Sequence, residues 1–350
     1  MKALLLKGPG EVVLEEIPVP DISNDEVLVE VKYAGICGSD VHARANCRLI
    51  HAGTYLGHEF SGVLTQVGSK VRGWQVGDRV GVNALYMCGG CYGCLHGRHS
   101  QCEQGFEHAI GIAPGREHAG AFARLVRVPR PEKRLFRLPD EVSFEEGALL
   151  DPLSGGLHAV RMSGFTVGEH ALVLGAGPIG LSVVTFLKYA GAGLIVVTEI
   201  SERRSQLARK LGADYVFNPN QTHNLKDKIL EITDGKGVDI VFDCSGVARA
   251  FRSAPDFLRR GGQVLLYGII EEEVPILPMN WALNEWQLRG CLGYYADDFP
   301  LVIEFLRKGV TPVREMITKK IKLSNIVEDG FEVLAKPGHD EIKILVEPDV

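Results

Sequence analysis

The stretch that decides the fold is "HALVLGAGPIGL", residues 170–181. Its first half is a short apolar run, which predicts a buried strand. Gly175, Gly177 and Gly180 then form the pattern GxGxxG at the start of a helix. The first glycine permits a tight turn, the second lets a pyrophosphate approach the backbone, and the third lets helix and strand pack closely. The stretch therefore predicts a loop that binds a dinucleotide.

The next predicted strand, "LIVVTE", indicates which dinucleotide is bound. It ends at Glu199, nineteen residues after Gly180, where a carboxylate would hold the ribose hydroxyls of the cofactor. The same charge would repel a 2′-phosphate, so NAD is favoured over NADP. Arg203 and Arg204 follow closely, and an arginine near this loop can accept such a phosphate. We interpret Arg203 as a helix-surface residue and keep Arg204 as a candidate cofactor residue; the alternative for Glu199 is a solvated loop acid.

The remaining sequence predicts two domains. After residue 165 strands alternate with helices ("SERRSQLARKLGA", "DYVFN", "LKDKILEIT", "VDIVFDCSG", "ARAFRSAPDFLRR", "GQVLLYGI"), which predicts a parallel sheet with helices on both faces. The first 150 residues are β-rich, with strands expected in 26–37, 77–83 and 119–129. A chain of 350 residues is also long for a single core. The fold class is therefore α/β, with a β-rich domain and a doubly wound domain.

The composition narrows the classes of partner. Apolar residues make up 45% of the chain, charged residues 23%, and the net charge is −6. No basic block occurs, which disfavours a nucleic-acid partner or an anionic membrane surface. The apolar run in the opening "MKALLLKGPG" is too short for the core of a signal peptide. No apolar run elsewhere is nearly long enough to span a membrane. We therefore expect a cytoplasmic protein.

Half of the eight cysteines lie in "CGGCYGCLHGRHSQC", residues 88–102. A reducing compartment disfavours disulfides. The spacing C-x2-C-x2-C-x7-C lets Cys88, Cys91, Cys94 and Cys102 converge on one ion, and four sulfurs fill a tetrahedral shell without an open position. The stretch therefore predicts a structural zinc ion, with a reduced or redox-active thiol cluster as the alternative.

Three other segments contain a different set of metal-binding side chains: "ICGSDVH" (36–42), "LGHEF" (56–60) and "LLDPLSGG" (149–156). Cys37, His58 and Asp151 offer one sulfur, one nitrogen and one oxygen. Three protein ligands with an open fourth position are typical of catalytic zinc. The alternative is that the cysteine and the histidine are ordinary core residues.

The order of these motifs, "CGSDVH", "GHEF", the four cysteines, "DPLS" and "GAGPIG", resembles the zinc-dependent medium-chain alcohol and polyol dehydrogenases from end to end. It is most similar to their sorbitol, butanediol and threonine dehydrogenase branch. The resemblance implies a GroES-like catalytic domain, residues 1–152 and 294–350, that carries both zinc sites. It also implies a Rossmann NAD-binding domain at residues 153–293.

The resemblance further implies roles for single residues. Cys37, His58 and Asp151 would be permanent ligands of the catalytic zinc, and Glu59 would be a ligand or an exchanging neighbour. Ser39 and His42 would relay the proton of the alcohol, and Asp40 would orient a zinc-bound histidine. The residues implied at the cofactor, besides those of the glycine loop, are Ile179, Gly268 and Ile269.

The implied reaction is hydride transfer between NAD and a secondary alcohol or polyol, which gives a ketone. Two departures bear on the substrate: many sorbitol dehydrogenases have glutamate in place of Asp151, and Gly293 stands where sorbitol-type members have arginine before Tyr294. A threonine-type amino-alcohol dehydrogenase is the alternative within the class. Outside it, the alternatives are a zinc-binding interaction module and a redox sensor. The resemblance also implies a homodimer or homotetramer, because the family joins sheets across subunits at the predicted strand "VPILP".

Overall fold

The structure is a computed structural model that describes residues 1–309, 311–336 and 338–349. It contains two units. The first consists of Met1–Asp151 and the described residues of Tyr294–Val310 and Ile317–Val350, and the second consists of Pro152–Gly293 and Thr311–Met316. The strands are β1 Lys2–Gly8, β2 Glu11–Glu16, β3 Glu26–Gly35, β4 Thr54–Tyr55, β5 Glu59–Val67, β6 Arg79–Val82, β7 Leu125–Pro129, β8 Leu135–Arg137, β9 His170–Leu174, β10 Leu194–Thr198, β11 Tyr215–Phe217, β12 Val238–Asp243, β13 Leu258–Leu266, β14 Gln287–Gly290, β15 Ile317–Lys322 and β16 Lys343–Glu347.

The α-helices connect or flank these strands. They are α1 Gly38–Asn46, α2 Tyr92–Leu95, α3 Pro131–Arg134, α4 Phe144–Gly147, α5 Leu150–Ser163, α6 Pro178–Tyr189, α7 Glu202–Leu211, α8 Leu225–Ile232, α9 Ala248–Ser253, α10 Pro278–Asn284, α11 Asp298–Lys308 and α12 Glu332–Leu334. Among the described residues, no helix combines the length and apolar character needed to cross a membrane.

The first unit is built on two sheets. One has the strand order β2-β1-β4, and the other has the order β15-β16-β3-β5-β6-β8, with β7 also paired to β3. Strand β3 is the central element, since it pairs antiparallel with β5, β7 and β16. Its alternating apolar residues, Val27, Val29 and Val31, lie in the core of the unit. The β-rich domain predicted from the sequence is confirmed.

The second unit contains a six-stranded sheet in the order β11-β10-β9-β12-β13-β14, and every neighbouring pair is parallel. Strands β9, β10 and β12 are mostly buried, as strands covered on both faces by helices must be. The chain reverses direction across the sheet between β9 and β12, and ligands bind at the carboxyl ends of strands at such a point. The predicted doubly wound fold is also confirmed.

Three local predictions were wrong in their extent. The helix expected over "ARAFRSAPDFLRR" ends at Ser253, a 3₁₀ turn follows, and β13 begins at Leu258. Pro255 explains this, because proline removes an N–H donor and interrupts a helix. In 119–129 the strand spans only Leu125–Pro129, with an isolated bridge from Ala123 to Ala3. The described part of the chain has no strand at "VPILP", where the two prolines lack the donors that a sheet requires.

Candidate metal and cofactor sites

The sheet of the first unit brings a thiol, an imidazole and a carboxylate together. Gly35, the last residue of β3, pairs with Glu59, the first residue of β5. Cys37 therefore follows one strand end and His58 precedes the other. One ligand atom from each of Cys37, His58 and Glu59 lies within 4.8 Å of the others. Both His58 and Glu59 are buried, and Cys37 is half-buried. Such a mixed set of sulfur, nitrogen and oxygen donors fits a zinc ion.

A lysine that the sequence did not single out forms an ion pair with this group. Lys343 Nζ lies 2.5 Å from Glu59 Oε2 and donates to the Ile36 carbonyl oxygen at 3.0 Å. Both members of the pair are almost completely buried. Burial opposes the positive charge, but Glu59, Cys37 and Asp151 nevertheless raise the pKa of Lys343 above its ordinary value. The charge of Glu59 is thus balanced by a lysine.

Gly35 provides the space for this pair. A Cβ atom at position 35 would lie 2.3 Å from Glu59 Oε2 and 3.1 Å from Lys343 Cδ. Distances under 3.0 Å to a new Cβ force a neighbouring group to move. A side chain at position 35 would therefore displace the Glu59 carboxylate from its place beside Lys343.

Helix α1 places two polar side chains on either side of the His58 ring. Ser39 Oγ lies 3.4 Å from Nε2, and Asp40 Oδ1 lies 3.6 Å from Nδ1, which is an electrostatic contact rather than a hydrogen bond. The other oxygen of Asp40 accepts the Cys37 N–H at 2.9 Å. Burial raises the pKa of Asp40 to about 6. His42 lies one helical turn after Ser39 and is exposed.

Burial opposes charge on His58, yet Asp40, Cys37 and Asp151 together raise its pKa well above 6.5. Asp40 lies beside Nδ1 without a hydrogen bond to it, so its role in orienting a metal-binding histidine stays a prediction. The contact between Ser39 and His58 brings the proposed relay hydroxyl next to this ring.

Asp151 lies in the first turn of α5 and is not part of the compact group of Cys37, His58 and Glu59. The hydroxyl of Tyr294 donates a hydrogen bond to its Oδ2 atom. Burial, followed by the negative charge of Glu59, raises the pKa of Asp151 to about 6. Its carboxylate therefore belongs to the same electrostatic environment as the group, and its role as a ligand stays a prediction.

The four cysteines of residues 88–102 form a second cluster. One sulfur from each of Cys88, Cys91, Cys94 and Cys102 lies within 4.8 Å of the others. All eight cysteines of the chain are free thiols. Backbone N–H groups point at the sulfurs: Gly90 and Cys91 donate to Cys88 Sγ at 3.4 and 3.3 Å. Backbone N–H groups also lower the pKa of Cys91 to about 6. Convergent sulfurs that accept N–H groups fit thiolates held by a metal ion.

The glycine loop of the second unit has the geometry that its spacing predicts. Gly175 has a φ of +87°, so the chain turns sharply after β9. A Cβ atom at Gly180 would lie 1.9 Å from the Gly175 carbonyl oxygen, which only a glycine avoids. At Gly177, the N-cap of α6, a Cβ atom would meet nothing within 4 Å. The backbone is therefore open at the helix N-terminus, where a phosphate binds.

Glu199 follows β10 and is buried against this loop. Its Oε2 atom accepts the Ala176 N–H at 2.7 Å, and its Oε1 atom accepts the N–H groups of Ile200 and Ser201 at 2.8 and 2.9 Å. Arg204 lies in the first turn of α7, where its N–H donates to Ser201 Oγ. The alternative of a solvated loop acid at position 199 is therefore wrong, because the carboxylate is only 6% exposed.

The other predicted cofactor residues lie at the carboxyl ends of the parallel strands. Gly268 follows β13, and its N–H donates to the Asp243 carbonyl oxygen at 2.8 Å. A Cβ atom at Gly246 would lie 2.9 Å from the carbonyl oxygen of Ile269. Ile179 lies in the first turn of α6, and its Cδ1 atom would be 3.1 Å from a Cβ atom at Gly155. Their contact with a nicotinamide stays a prediction.

The sequence did not indicate the importance of three residues of the first unit: Lys343, Arg134 and His99. Lys343 is the first residue of β16, directly before its apolar run, and a charged residue in a buried strand was the signal that could have found it. Arg134 is completely buried and donates to the carbonyl oxygens of Leu85, Ala84 and His108, and burial lowers its pKa to about 10. His99 contacts the segment after Tyr294, and no sequence signal indicates that contact.

The chain is similar to known proteins both in sequence and in structure. The family model "Alcohol dehydrogenase GroES-like domain" matches residues 23–140, and the model "Zinc-binding dehydrogenase" matches residues 178–308. Sorbitol dehydrogenase of Bacillus subtilis is 34% identical over 100% of this chain and 98% of its own length. The crystal structure of 2R,3R-butanediol dehydrogenase from Bacillus subtilis superposes with a TM-score of 0.88 at 36% identity, covering 99% of each chain. A Sinorhizobium meliloti protein described as a zinc-binding dehydrogenase, with bound NADP, gives a TM-score of 0.87 at 29% identity and covers 99% of each chain.

Proposed function

The chain belongs to the zinc-binding alcohol dehydrogenase family and is a zinc-dependent oxidoreductase that uses a nicotinamide cofactor; on this premise we propose that it oxidises a secondary alcohol or polyol to a ketone with NAD. The observation that carries the proposal is the buried group of Cys37, His58 and Glu59 in a chain that also has a complete dinucleotide loop. The interaction module and the redox sensor, which explain only one of these features each, are set aside.

Residues of the first unit would bind the catalytic metal, orient its ligands and balance their charge. Cys37, His58 and Asp151 would hold the catalytic zinc, with Glu59 able to replace or join them. Bound there, zinc supplies a Lewis acid that lowers the pKa of an alcohol hydroxyl towards neutrality. Asp40 orients the His58 ring through its contact with Nδ1. Lys343 pairs with the Oε2 atom of Glu59 and so balances the charge of a carboxylate that would lie beside the metal.

Ser39 would take the proton that leaves the alcohol, because its hydroxyl both accepts and donates and lies beside the His58 ring. From there the proton would pass to His42, an exposed group whose unperturbed pKa lies near neutral pH.

We expect Ser39→Ala to lower turnover by more than about tenfold, because it removes the group that carries the proton. Zinc content should stay unchanged, since a hydroxyl at 3.4 Å from His58 is no metal ligand in the proposed set. Steady-state kinetics and metal analysis measure both quantities. Ser39→Thr, which keeps a hydroxyl, is the matched control and should retain most of the turnover. Near-normal turnover in the alanine variant would remove Ser39 from the mechanism.

The choice of NAD rests on Glu199. Its carboxylate is fixed next to the glycine loop by three backbone N–H groups, which supports a position where it would repel a 2′-phosphate. Arg204 is the group that would favour the phosphate instead. Because one relative in the structural comparison carries NADP, the two cofactors have to be compared directly.

The function is tested by measuring reduced cofactor with secondary alcohols, vicinal diols, polyols and threonine, each supplied with NAD and with NADP. Turnover of secondary alcohols or polyols with NAD is the expected result. Turnover of threonine alone would favour the amino-alcohol alternative. Preference for NADP would overturn the role given to Glu199. No turnover of any member of the panel by a chain loaded with two zinc ions would overturn the proposed substrate class.

We further propose the domain assignment made from the sequence: residues 1–152 and 294–350 as the catalytic domain with both zinc ions, and 153–293 as the NAD-binding domain. The contacts of the chain support it, with the differences that Pro152 and Thr311–Met316 group with the second unit. A cytoplasmic location is supported by the eight cysteines, none of which is in a disulfide, because disulfides are rare in that reducing compartment.

We also propose a homodimer or homotetramer formed through β14 and α10. Strand β14 is the last strand of the parallel sheet, and all four of its residues are exposed. Large apolar side chains surround this open edge: Ile276, Leu277, Met279, Leu283 and Leu288. An unpaired strand edge beside an exposed apolar patch is typical of a self-association surface.

The double variant Leu283→Lys/Leu288→Lys is expected to convert the native oligomer into monomers, because two buried charges would oppose association. Light scattering after size-exclusion chromatography measures the mass. Leu301→Lys, a similarly exposed leucine on α11, is the control and should leave the mass unchanged. A double variant with the mass of the native protein would place the interface elsewhere, and a monomeric native protein would refute the proposal.

A further inference from the structure

The cysteine-rich segment, residues 88–102 (the cysteine lobe), contacts residues 294–298 (the tyrosine segment). The contact is made by His99, which lies in a short 3₁₀ turn directly before Cys102. The backbone N–H of Ala296 donates to His99 Nδ1 at 3.1 Å. The His99 ring also meets the Tyr295 ring edge-on, with centroids 6.2 Å apart. A polar and an aromatic contact thus join the lobe to the segment.

The tyrosine segment reaches a carboxylate of the metal site at its other end. Tyr294 is only 3% exposed, and its hydroxyl donates to Asp151 Oδ2. Its ring packs edge-on against Phe299 at 4.9 Å, and Phe299 stacks on Phe136 at 4.8 Å. Packing against Phe299 therefore holds the ring of Tyr294, and the hydrogen bond to Asp151 holds its hydroxyl.

The residues between these two contacts form a tight turn. The Asp298 N–H donates to the Tyr295 carbonyl oxygen at 3.0 Å, and the Asp298 carboxylate accepts the Tyr295 N–H at 2.8 Å. A turn closed by two such bonds moves as one piece. Tyr294 directly precedes this turn, so we expect a shift of Ala296 to be passed along the backbone to Tyr294 and to its hydroxyl beside Asp151.

We propose that His99 is a positioning residue for the catalytic metal: it fixes the tyrosine segment so that Tyr294 holds the Asp151 carboxylate in one orientation. The cysteine lobe then does more than stabilise its own loop, because through Tyr294 it also orients Asp151, a ligand of the other metal site. The proposal rests on the function given above, in which Asp151 binds the catalytic zinc.

The protonation state of His99 fits this role. To accept an N–H at Nδ1, the ring must carry its proton on Nε2 and be neutral. Burial lowers the pKa of His99, with Lys133 acting in the same direction and Asp297 and Asp298 acting against it. The neutral ring is therefore the form present at neutral pH.

Orientation of one ligand has a measurable effect on metal retention. Groups that hydrogen-bond to metal ligands typically change metal affinity by 10–100-fold when they are removed. Tyr294→Phe, which removes the hydroxyl from Asp151, is expected to fall in that range. His99 acts one step further away, so a smaller effect in the same direction is expected.

The test measures how fast each zinc ion leaves the intact protein to a coloured chelator. His99→Phe keeps a ring against Tyr295 but removes the acceptor, and it should release one zinc several-fold faster while the second zinc leaves at the native rate. His99→Asn keeps an acceptor near the position of Nδ1 and should behave as the native protein. In kinetics, His99→Phe should lower kcat more than it changes KM.

A second variant approaches the contact from the other side. Ala296 is the second residue of the turn that Asp298 closes, a position where proline is favoured, so Ala296→Pro removes the donated N–H without altering the lobe. It should release the same zinc faster, as His99→Phe does. The double variant His99→Phe/Tyr294→Phe should release it no faster than Tyr294→Phe alone, because both changes act through one carboxylate.

Native release rates in both His99→Phe and Ala296→Pro would overturn the proposal, as would additive effects in the double variant. Should His99→Phe fail to fold, Ala296→Pro decides the question. The release experiment needs no substrate, so it separates the two proposals: a chain that turns over none of the alcohols can still show this coupling. A chain that binds only one zinc would refute the metal site itself.

Discussion

Replacement of Lys343 by methionine is expected to lower the free energy of unfolding of the first unit by about 3–5 kcal/mol, measured on the protein with no zinc in the Cys37 site. The change leaves the Glu59 carboxylate buried without its cation, and breaking one side of a buried ion pair carries a cost of this size. Lys343 and Glu59 are 1% and 2% exposed, so water cannot replace the lost partner. Chemical denaturation followed by a probe in the first unit measures the loss.

Lys320→Met is the matched control. Lys320 pairs with Glu145 at 3.2 Å, but its side chain is 53% exposed, and surface pairs contribute only about 0–1 kcal/mol. The double variant Lys343→Met/Glu59→Met should recover most of the stability, because it leaves no buried charge. Equal stabilities for the Lys343→Met and Lys320→Met variants would contradict the account of the buried pair.

The second large effect is expected from Cys88→Ser, which should reduce zinc from two ions per chain to one and cause loss of soluble, folded protein. Cys88 Sγ accepts two backbone N–H groups and lies 3.9 Å from Cys94 Sγ, so it is central to the cluster. A structural zinc ion contributes about 10–16 kcal/mol to the folding of a zinc-finger peptide. The stabilisation lost with the zinc ion is therefore larger than the contribution of any single hydrogen bond in the lobe.

Metal analysis and thermal unfolding measure the two consequences. Cys47→Ser is the control, since Cys47 is a half-buried thiol outside both metal-binding groups, and it should keep two zinc ions. A Cys88→Ser variant that is stable, fully folded and only slow in turnover would contradict the structural role of the cysteine lobe.

Features that depend on neighbouring residues could be predicted from the sequence. The glycine loop and the four-cysteine spacing are local patterns, and the chain must fold each of them in nearly one way. Two glycines of the loop show this most directly, because Gly175 has a positive φ and Gly180 lies against the Gly175 carbonyl oxygen. The same holds for Asp40, which lies three residues from Cys37 and caps its N–H.

Contacts between distant residues could not be predicted. Lys343 is 284 residues away from Glu59, and His99 is 197 residues away from Ala296. Such pairs depend on strand order and register, which no short pattern records. The position of Tyr294 beside Asp151 is of the same kind. Sequence reasoning therefore identified the candidate ligands but not the residues that hold them in place.

The three N–H groups that Glu199 accepts have a consequence for redesign of the cofactor preference. A carboxylate that selects a cofactor by repulsion can ordinarily be exchanged for a neutral or basic residue. Here, the exchange would leave the buried amides of Ala176 and Ser201 without acceptors, at a cost of about 1–3 kcal/mol each, and would also remove the acceptor of the partly exposed Ile200 N–H. The Glu199 side chain thus both selects the cofactor and stabilises the phosphate-binding turn. A variant that changes the cofactor preference would therefore also need new acceptors for the N–H groups of that turn.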